Sequence, residues 1–324
     1  MPAKPVLPRL NNIPILPNLG DSLPFPAGRI LHVRPRYGSD INARPDLVER
    51  AFKTIQVAFQ NAKANQNDVI LVHSEGNSSA YCTSYQSETL DWNKDGVHLI
   101  GVNNGINISP RSRLAFISSY VTASNLITVS ANNCLFRGIA MFAGVADTNP
   151  TGCLKVTGDR NKFEDCHITG FGHASMDIAG AYSINLSGAE ENQFERCTIG
   201  MDRITCGAQA NSQLLCESTA KNNRFTDCVF KLVSTHATNH LFVRAATSSL
   251  DGGLEFIRTV GYNSQSRNVS GSELTYAMVV ASDAGGDVFL DPGSAFQATD
   301  CNSTDAGNVY GAGAAAGILV PLTK

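Results

Sequence analysis

Three segments of this chain repeat one pattern at a fixed interval. Asn161-Lys-Phe163-Glu-Asp-Cys166, Asn192-Gln-Phe194-Glu-Arg-Cys197 and Asn223-Arg-Phe225-Thr-Asp-Cys228 follow one another every 31 residues. The frame extends outward in weaker form. Phe256 lies 31 residues after Phe225 with Thr259 in the cysteine's place, and Asn133-x-Leu135-x-x-Gly138 reads as a degenerate copy 28 residues before the first full one. Short alternating runs precede the copies: Ile127 to Val129, Leu154 to Val156, Ile184 to Leu186 and Leu214 to Cys216. Short strands separated by polar turns at such a period predict an all-β chain wound as a parallel β-solenoid of about five coils.

A coil of this kind cannot bury its inward residues alone. Stacked about 4.8 Å apart, equivalent residues lie over one another and form a continuous core. Phe163, Phe194 and Phe225 are then expected to stack as an aromatic ladder, and Cys166, Cys197 and Cys228 as a ladder of reduced, buried thiols. The repeated asparagines are expected at a bend, where their side chains can bond to backbone and Asn tolerates left-handed geometry. Upstream, Val48, Phe52, Ile55, Phe59 and Ala62 recur every three or four residues, which predicts an amphipathic helix of about five turns over 46–64, placed to cap the open first coil. The expected organisation is an extended arm (1–28), a linker with the capping helix (29–67), the β-helix (68–305) and a Gly/Ala-rich tail (306–324).

The arm follows from proline. Nine of the 13 prolines lie at or before Pro45; proline fixes φ and lacks an amide donor, so residues 1–28 suit neither helix nor central strand. Its apolar residues, among them Leu7, Leu10, Ile13, Ile15, Leu16 and Leu19, suit an arm folded on its own domain or laid along a neighbouring subunit. The second is favoured because a Pro-rich arm has little entropy left to lose on ordering. Residues 1–36 also carry Lys4, Arg9, Arg29, Arg34 and Arg36 against Asp21, giving +4 in a chain of net charge −3, so the remainder is −7. These values argue against nucleic acid as a partner. Apolar runs such as Val69 to Val72 and Ile318 to Val320 are far below the ~18–20 residues that span a bilayer, and the prolines interrupt any secretory h-region, so synthesis and folding are expected in the cytoplasm. Only 16% of residues are charged, against about 25% in typical soluble domains.

Candidate chemistry is sparse. The nine cysteines include no C-x-x-C pair, so neither a metal nor a cofactor is expected. His167, His173 and Asp177 form the densest polar group, yet His167 is offset by one from inward Cys166 and is expected on the surface, and the glycines around His173 mark a loop. Asp202-Arg203 reads as a salt-linked turn and Pro110-Arg-Ser-Arg113 as a solvated coil edge. Gly311 to Gly317 lacks the Lys-Ser/Thr of a phosphate loop.

Ala51 to Ala58, Asp68 to Val72, Thr89 to Val102 and the N-x-F-x-x-C coils together resemble the right-handed parallel β-helix of the pectate-lyase-like group, and more narrowly the β-helix structural proteins of tailed bacteriophage virions. The resemblance implies a non-enzymatic virion component assembled in the host cytoplasm, most simply a homotrimeric capsid decoration (cement) protein. Its arm, through Lys4, Leu7, Arg9, Leu10, Ile13, Ile15, Leu16 and Leu19, would grip the major capsid protein. The alternative it implies is a tail spike or adhesin that binds or cleaves host surface glycan, or a tail or baseplate component. The paired aspartates of polygalacturonase-like enzymes are missing from the sequence, Gly170-Phe-Gly-His173 matches their Gly-His-Gly turn only faintly, and Trp92 is the one tryptophan available as a sugar platform. No catalytic residue is carried over.

Overall fold

A computed structural model describes residues 28–75, 78–102, 112–117, 121–236, 239–264, 278–280, 286–291 and 293–297, together with short strands at 9–10, 13–14, 312–313 and 318–319. The described residues form a parallel β-helix of three sheets, with nine, ten and seven strands, in which, except at the sheet ends, every third strand of the sequence joins the same sheet. One coil runs from the seven-stranded sheet (for example Gly152–Val156) to the nine-stranded sheet (Lys162–Glu164) and on to the ten-stranded sheet (His167–Thr169). In-register pairing then carries the pattern forward: Phe163 opposes Phe194 and Ile168 opposes Ile199, each buried inside the solenoid.

The aromatic ladder is present and longer than expected. Ring centroids are 4.7 Å apart from Phe163 to Phe194 and 4.5 Å from Phe194 to Phe225, with planes within 7° of parallel. Phe136 stacks on Phe163 at 4.7 Å, and the column continues through Trp92 to Phe59 at one end and through Phe256 to Phe296 at the other. The first coil of the frame is offset by 27 residues, not 28, because Phe136 opposes Phe163. Gly138 therefore takes the place of Asp165, and Ile139 that of Cys166.

The thiols are part of a turn. Between the nine- and ten-stranded sheets the chain bends through one left-handed residue: Gly138, Asp165, Arg196, Asp227 and Arg258, with φ between 46° and 64°. Such a conformation costs a non-glycine residue about 1–2 kcal/mol. The next side chain offsets part of that cost. Cys197 Sγ lies 3.4 Å from the Phe163 carbonyl one coil back and 3.5 Å from the Glu195 carbonyl; Cys166 and Cys228 repeat the arrangement. Thr259 does the same with its hydroxyl, and Ser294 donates to the Phe256 carbonyl. The eight described cysteines are free thiols and buried, and burial pushes Cys166 and Cys197 well above the ordinary thiol pKa. Cys301 lies outside the described residues.

The asparagines bond to backbone at a bend as expected, but they are not the left-handed residues. Left-handed backbone falls one residue earlier, at Arg160, Glu191 and Asn222, while Asn161, Asn192 and Asn223 are buried. Their side chains form a second ladder: Asn192 Oδ1 accepts from the Asn161 amide at 2.9 Å, Asn223 Oδ1 accepts from the Asn192 amide at 3.0 Å, and Asn161 Oδ1 accepts from the Cys134 amide at 2.9 Å. Buried main-chain amides at that corner would otherwise lack partners, so the corner selects Asn for its acceptor rather than for its backbone tolerance.

The expected five-turn helix is shorter. Only Ile55–Asn61 is α-helical, preceded by a 3₁₀ turn at Val48–Arg50. Phe52 is extended because its amide and carbonyl bond to His32 and Arg34 on either side of Val33. Ile30–Val33, in the expected linker, is itself the outermost strand of the nine-stranded sheet, pairing with Val69–Val72. Thr54 Oγ1 accepts from the Val57 amide at the helix N-terminus. At the other end Lys94 Nζ lies 2.8 Å from the carbonyls of Phe59, Gln60 and Ala62, a cation on the negative pole of the helix. In the expected tail, Ile318–Leu319 pairs antiparallel with Ala312–Gly313 and with the strand Ala295–Gln297. Among the described residues no helix is long and apolar enough to cross a membrane.

Two substitutions separate volume from hydrogen bonding in this core. Phe194→Ala is expected to cost about 3–5 kcal/mol in urea unfolding, through lost burial and the cavity left in the column. Cys197→Ser keeps a donor where Thr259 and Ser294 already use a hydroxyl, so it should cost less than Cys197→Val, which keeps the volume and removes the donor. The reverse order would show that the cysteine ladder is only apolar filling.

Candidate functional site

The outward face of the ten-stranded sheet is where this coil geometry sets side chains in line outside the core, some exposed (Tyr85, Val260) and others, such as Thr169, Thr198 and Lys231, buried. Along it, Tyr85, Ala115, Phe142 and Thr169 stand in one row, continued by Gly200, Lys231 and Tyr262 on the next three strands. A parallel row holds Thr83, Arg113, Ala140, His167, Thr198, Val229 and Val260. The residues between them, such as Leu114, Met141, Ile168 and Phe230, point into the core and are fully buried. Connections of nine to twelve residues (143–151, 170–181, 201–210) leave this face for the seven-stranded sheet, whereas the opposite corner turns on one residue.

Two cation–aromatic pairs mark the face. The Arg113 guanidinium lies 4.2 Å from the centre of the Phe142 ring. Lys231 Nζ lies 5.5 Å from the centre of the Tyr262 ring and 3.4 Å from Asp202 Oδ2. Burial opposes the Lys231 charge, but Tyr262 and Asp202 outweigh it and hold the ammonium above its ordinary pKa. It is a fixed cation, not a base. His167 sits between the pairs, its Nε2 2.9 Å from the Gly200 carbonyl and 3.0 Å from Thr169 Oγ1. Burial lowers its pKa, and Lys231 and Arg113 lower it further against the Gly200 carbonyl, so the imidazole is neutral at neutral pH and donates through Nε2.

The polar residues singled out in the sequence do not converge. His167 faces outward as expected but is partly covered. His173 caps the N-terminus of the 3₁₀ turn Ala174–Met176, its Nδ1 accepting from the Ser175 amide. Asp177 accepts from the amides of Gly207 and Ala208, 2.9 Å each, and from Asn211 Nδ2 at 2.7 Å. Asp202 pairs with Lys231 of the next coil rather than with Arg203, because equivalent positions of neighbouring coils are closer than a turn's own side chains need be. Trp92 is fully buried, donating to the Val97 carbonyl and stacking on Phe59, and is no sugar platform. Of the arm residues expected to grip a partner, Lys4, Leu7, Ile15, Leu16 and Leu19 lie outside the described residues; Arg9 and Leu10 pair antiparallel with Pro14 and Ile13. Among the described residues no cluster of three His, Cys, Asp or Glu side chains is arranged to hold a metal.

Asp177 anchors a buried polar chain beside the face. Asn211 Oδ1 accepts from His240 Nδ1, Gln213 Nε2 donates to His240 Nε2 at 3.1 Å, the Ser183 hydroxyl donates to Gln213 Oε1 at 2.5 Å, and the Gly170 amide donates to Ser183 Oγ at 2.9 Å. Every member has a partner only while His240 is neutral with its proton on Nδ1. This chain fixes the start of the 170–181 loop and the end of the 201–210 loop.

The residues missed in the sequence share one signal. Thr169, Gly200, Lys231 and Tyr262 are each three positions after a member of the Cys166, Cys197, Cys228, Thr259 series, so the repeat frame itself locates the row.

Solved structures of the same architecture frame these observations. A pectate lyase, Pel9A, is similar over 88% of this chain and 68% of its own, with a TM-score of 0.59 at 13% identity. A pectin methylesterase in complex with a hexasaccharide is similar over 82% and 79%, with a TM-score of 0.50 at 16% identity. The enzymatically active domain of tailspike protein 2 of bacteriophage CBA120 is similar over 78% and 44%, with a TM-score of 0.34 at 12% identity. No protein-family model and no curated protein sequence matches the chain. At these identities the likeness is one of fold: the chain has the pectate-lyase-like parallel β-helix architecture.

Burial lowers the His240 pKa from 6.5 to about 4. The unfolded chain therefore binds this proton first as pH falls, and the stability the neutral ring contributes is complete above about pH 6.5 and lost progressively towards pH 4, on the order of 3 kcal/mol in all. Urea unfolding across that range should show stability rising with pH, and His240→Asn should lower the slope by up to about one proton, or 1.4 kcal/mol per pH unit. An unchanged slope would show that the chain tolerates the charged ring.

Proposed function

We propose that this protein is a polysaccharide-binding β-helix of the tail-spike or adhesin kind, which holds an extended glycan along the outward face of the ten-stranded sheet without cleaving it. The observation that carries the reading is the alignment of two cation–aromatic pairs, Arg113 on Phe142 and Lys231 on Tyr262, on one face along the solenoid axis. The two cations stand four strands apart, about 19 Å at the usual spacing. Aromatic faces accept the apolar face of a sugar ring, while guanidinium and ammonium donors meet its hydroxyl or carboxylate oxygens. A row of such pairs suits a linear polymer better than a small compact ligand. Tyr85, 45% exposed at the end of the same row, adds a third aromatic surface.

Binding without cleavage is favoured by the state of the nearby carboxylates. Glycoside hydrolysis needs two carboxyl groups flanking one bond, one of them free to give a proton. Asp202 is engaged by Lys231, and Asp177 by two main-chain amides and Asn211. A place on a phage particle belongs to the same proposal, and it is supported by the resemblance of the sequence to virion β-helix proteins.

Titration of the full chain with surface polysaccharide from candidate host bacteria should show saturable binding by calorimetry and no new reducing or unsaturated ends. Lys231→Ala and Phe142→Ala should each weaken binding by about threefold to thirtyfold, the range of a partly desolvated cation–aromatic contact. Equal binding by wild type and both variants would remove the face as the site, and chain ends that accumulate with protein concentration would overturn the non-cleaving reading.

A further inference from the structure

The first coil is closed by a cap whose outer surface is unlike that of an end meant only for water. Residues 34–53 fold over the free edge of the strand Ile30–Val33: Phe52 bonds to His32 and Arg34, the Asp46 amide donates to the Ile30 carbonyl at 2.7 Å, and Asp46 Oδ1 accepts from the Ile30 amide at 2.8 Å. The edge is thereby satisfied. Terminal caps of solenoids keep a polar outer face to remain monomeric in solution. This one exposes Ile41 (94%), Tyr37 (61%), Val48 (43%) and Leu47 (38%) within twelve residues. Among the described residues nine large apolar side chains are exposed, and five of them, Tyr37, Ile41, Leu47, Val48 and Tyr81, lie between residues 37 and 81. Scattered apolar residues need no explanation, but a concentration at one end does.

Arginine and tyrosine join that patch in an ordered way. The Arg36 guanidinium lies 4.0 Å from the centre of the Tyr81 ring and 4.7 Å from that of Tyr37. Arg34 stands beside them, paired with Glu75, and 5.5 Å from the centre of the Tyr37 ring. No carboxylate pairs with Arg36 among the described residues. Exposed Tyr and Arg held against each other, at low entropic cost, are the residue types on which protein interfaces concentrate their binding energy.

The charge of the chain indicates the partner. Residues 29–64 carry seven Lys and Arg against three Asp and Glu, giving +4, whereas residues 65–324 carry 16 against 24, giving −8. A basic, apolar end and an acidic body are complementary between copies and not within one. We propose that the capped end is an interface for a second copy of this chain, with Arg36, Tyr37, Tyr81, Ile41 and Val48 seated against the acidic body of a neighbour. Such an end-to-body contact is heterologous, so it closes into a ring or grows into a filament, and both give masses above that of one chain. The proposal is independent of the glycan-binding face, which uses other residues.

Light scattering after size exclusion, on the full chain at micromolar concentration, tests it. The wild type should elute above its 34.5 kDa chain mass and shift towards it in about 0.5 M salt, where the Debye length falls below ~5 Å. Ile41→Asp combined with Arg36→Glu, both at exposed positions, should give the single-chain mass at low salt with an unchanged thermal midpoint. A wild type of single-chain mass at low salt, or an assembly that persists in the variant, would overturn the proposal.

Discussion

The structure depends on one constraint: no coil can bury its inward side chains except against the coils before and after it. The aromatic column is the direct expression of that constraint. Phe136, Phe163, Phe194 and Phe225 stack at 4.5–4.7 Å with nearly parallel planes, the spacing of hydrogen-bonded strands. Ring stacking and main-chain pairing therefore ask for the same rise per coil. At the ends, where the rise is no longer imposed from both sides, the rings tilt: Trp92 against Phe136 by 57° and Phe256 against Phe296 by 78°. Phe59 of the short helix closes the column on Trp92, so the cap is docked by the same apolar contact that holds the coils together.

How far the sequence could be read follows from this. Positions whose neighbours are copies of themselves were legible, because the coil above repeats what the coil below requires; Phe163, Phe194 and Phe225 are the example. Positions whose partners differ were not. Lys94 is identifiable as a helix cap only once the chain from 59 to 62 is seen to end beneath it. For the asparagines the frame gives the position and the bonding of the side chain to backbone, but not that the left-handed residue is the one before, since a bend residue and a buried amide acceptor leave the same letter. Periodicity overstates the helix because Phe52 keeps helical spacing with Phe59 while its backbone is taken by an edge strand, a tertiary pairing that periodicity does not register. For the candidate site the frame contained the positions, three beyond each turn cysteine, but Thr169, Gly200, Lys231 and Tyr262 share no chemistry and so do not read as a motif.

That last contrast separates the two surfaces of the repeat. Inward, identity between coils is rewarded. Outward on the ten-stranded sheet, difference between coils is what gives Arg113, His167 and Lys231 distinct neighbours, and the long connections 170–181 and 201–210 are anchored by a polar chain, Asp177 to Ser183, that occurs once rather than every coil. Specific recognition requires such non-repetition, because a row of identical side chains offers a ligand no preferred register.

The low charge of the chain has the same origin. An outward residue in a solenoid lies about 4.8 Å from its counterpart in the next coil, where two like charges cost about 1 kcal/mol even at the dielectric constant of water. Copying a charged residue with the repeat would accumulate that cost at every coil. The chain avoids it by using neutral polar residues or by reversing sign from one copy to the next: Arg160 with Glu191, Asp165 with Arg196, Arg224 with Glu255 and Asp227 with Arg258 are all pairs 31 residues apart, at 2.6–2.8 Å. The exception supports the rule. Glu164 and Glu195 do stack in register, and there Arg196 bonds to both while Lys162 pairs with Glu195 at 2.7 Å. Each such exposed pair contributes little stability by itself; its effect is on register, since a coil shifted by one residue would set these charges against the wrong partners.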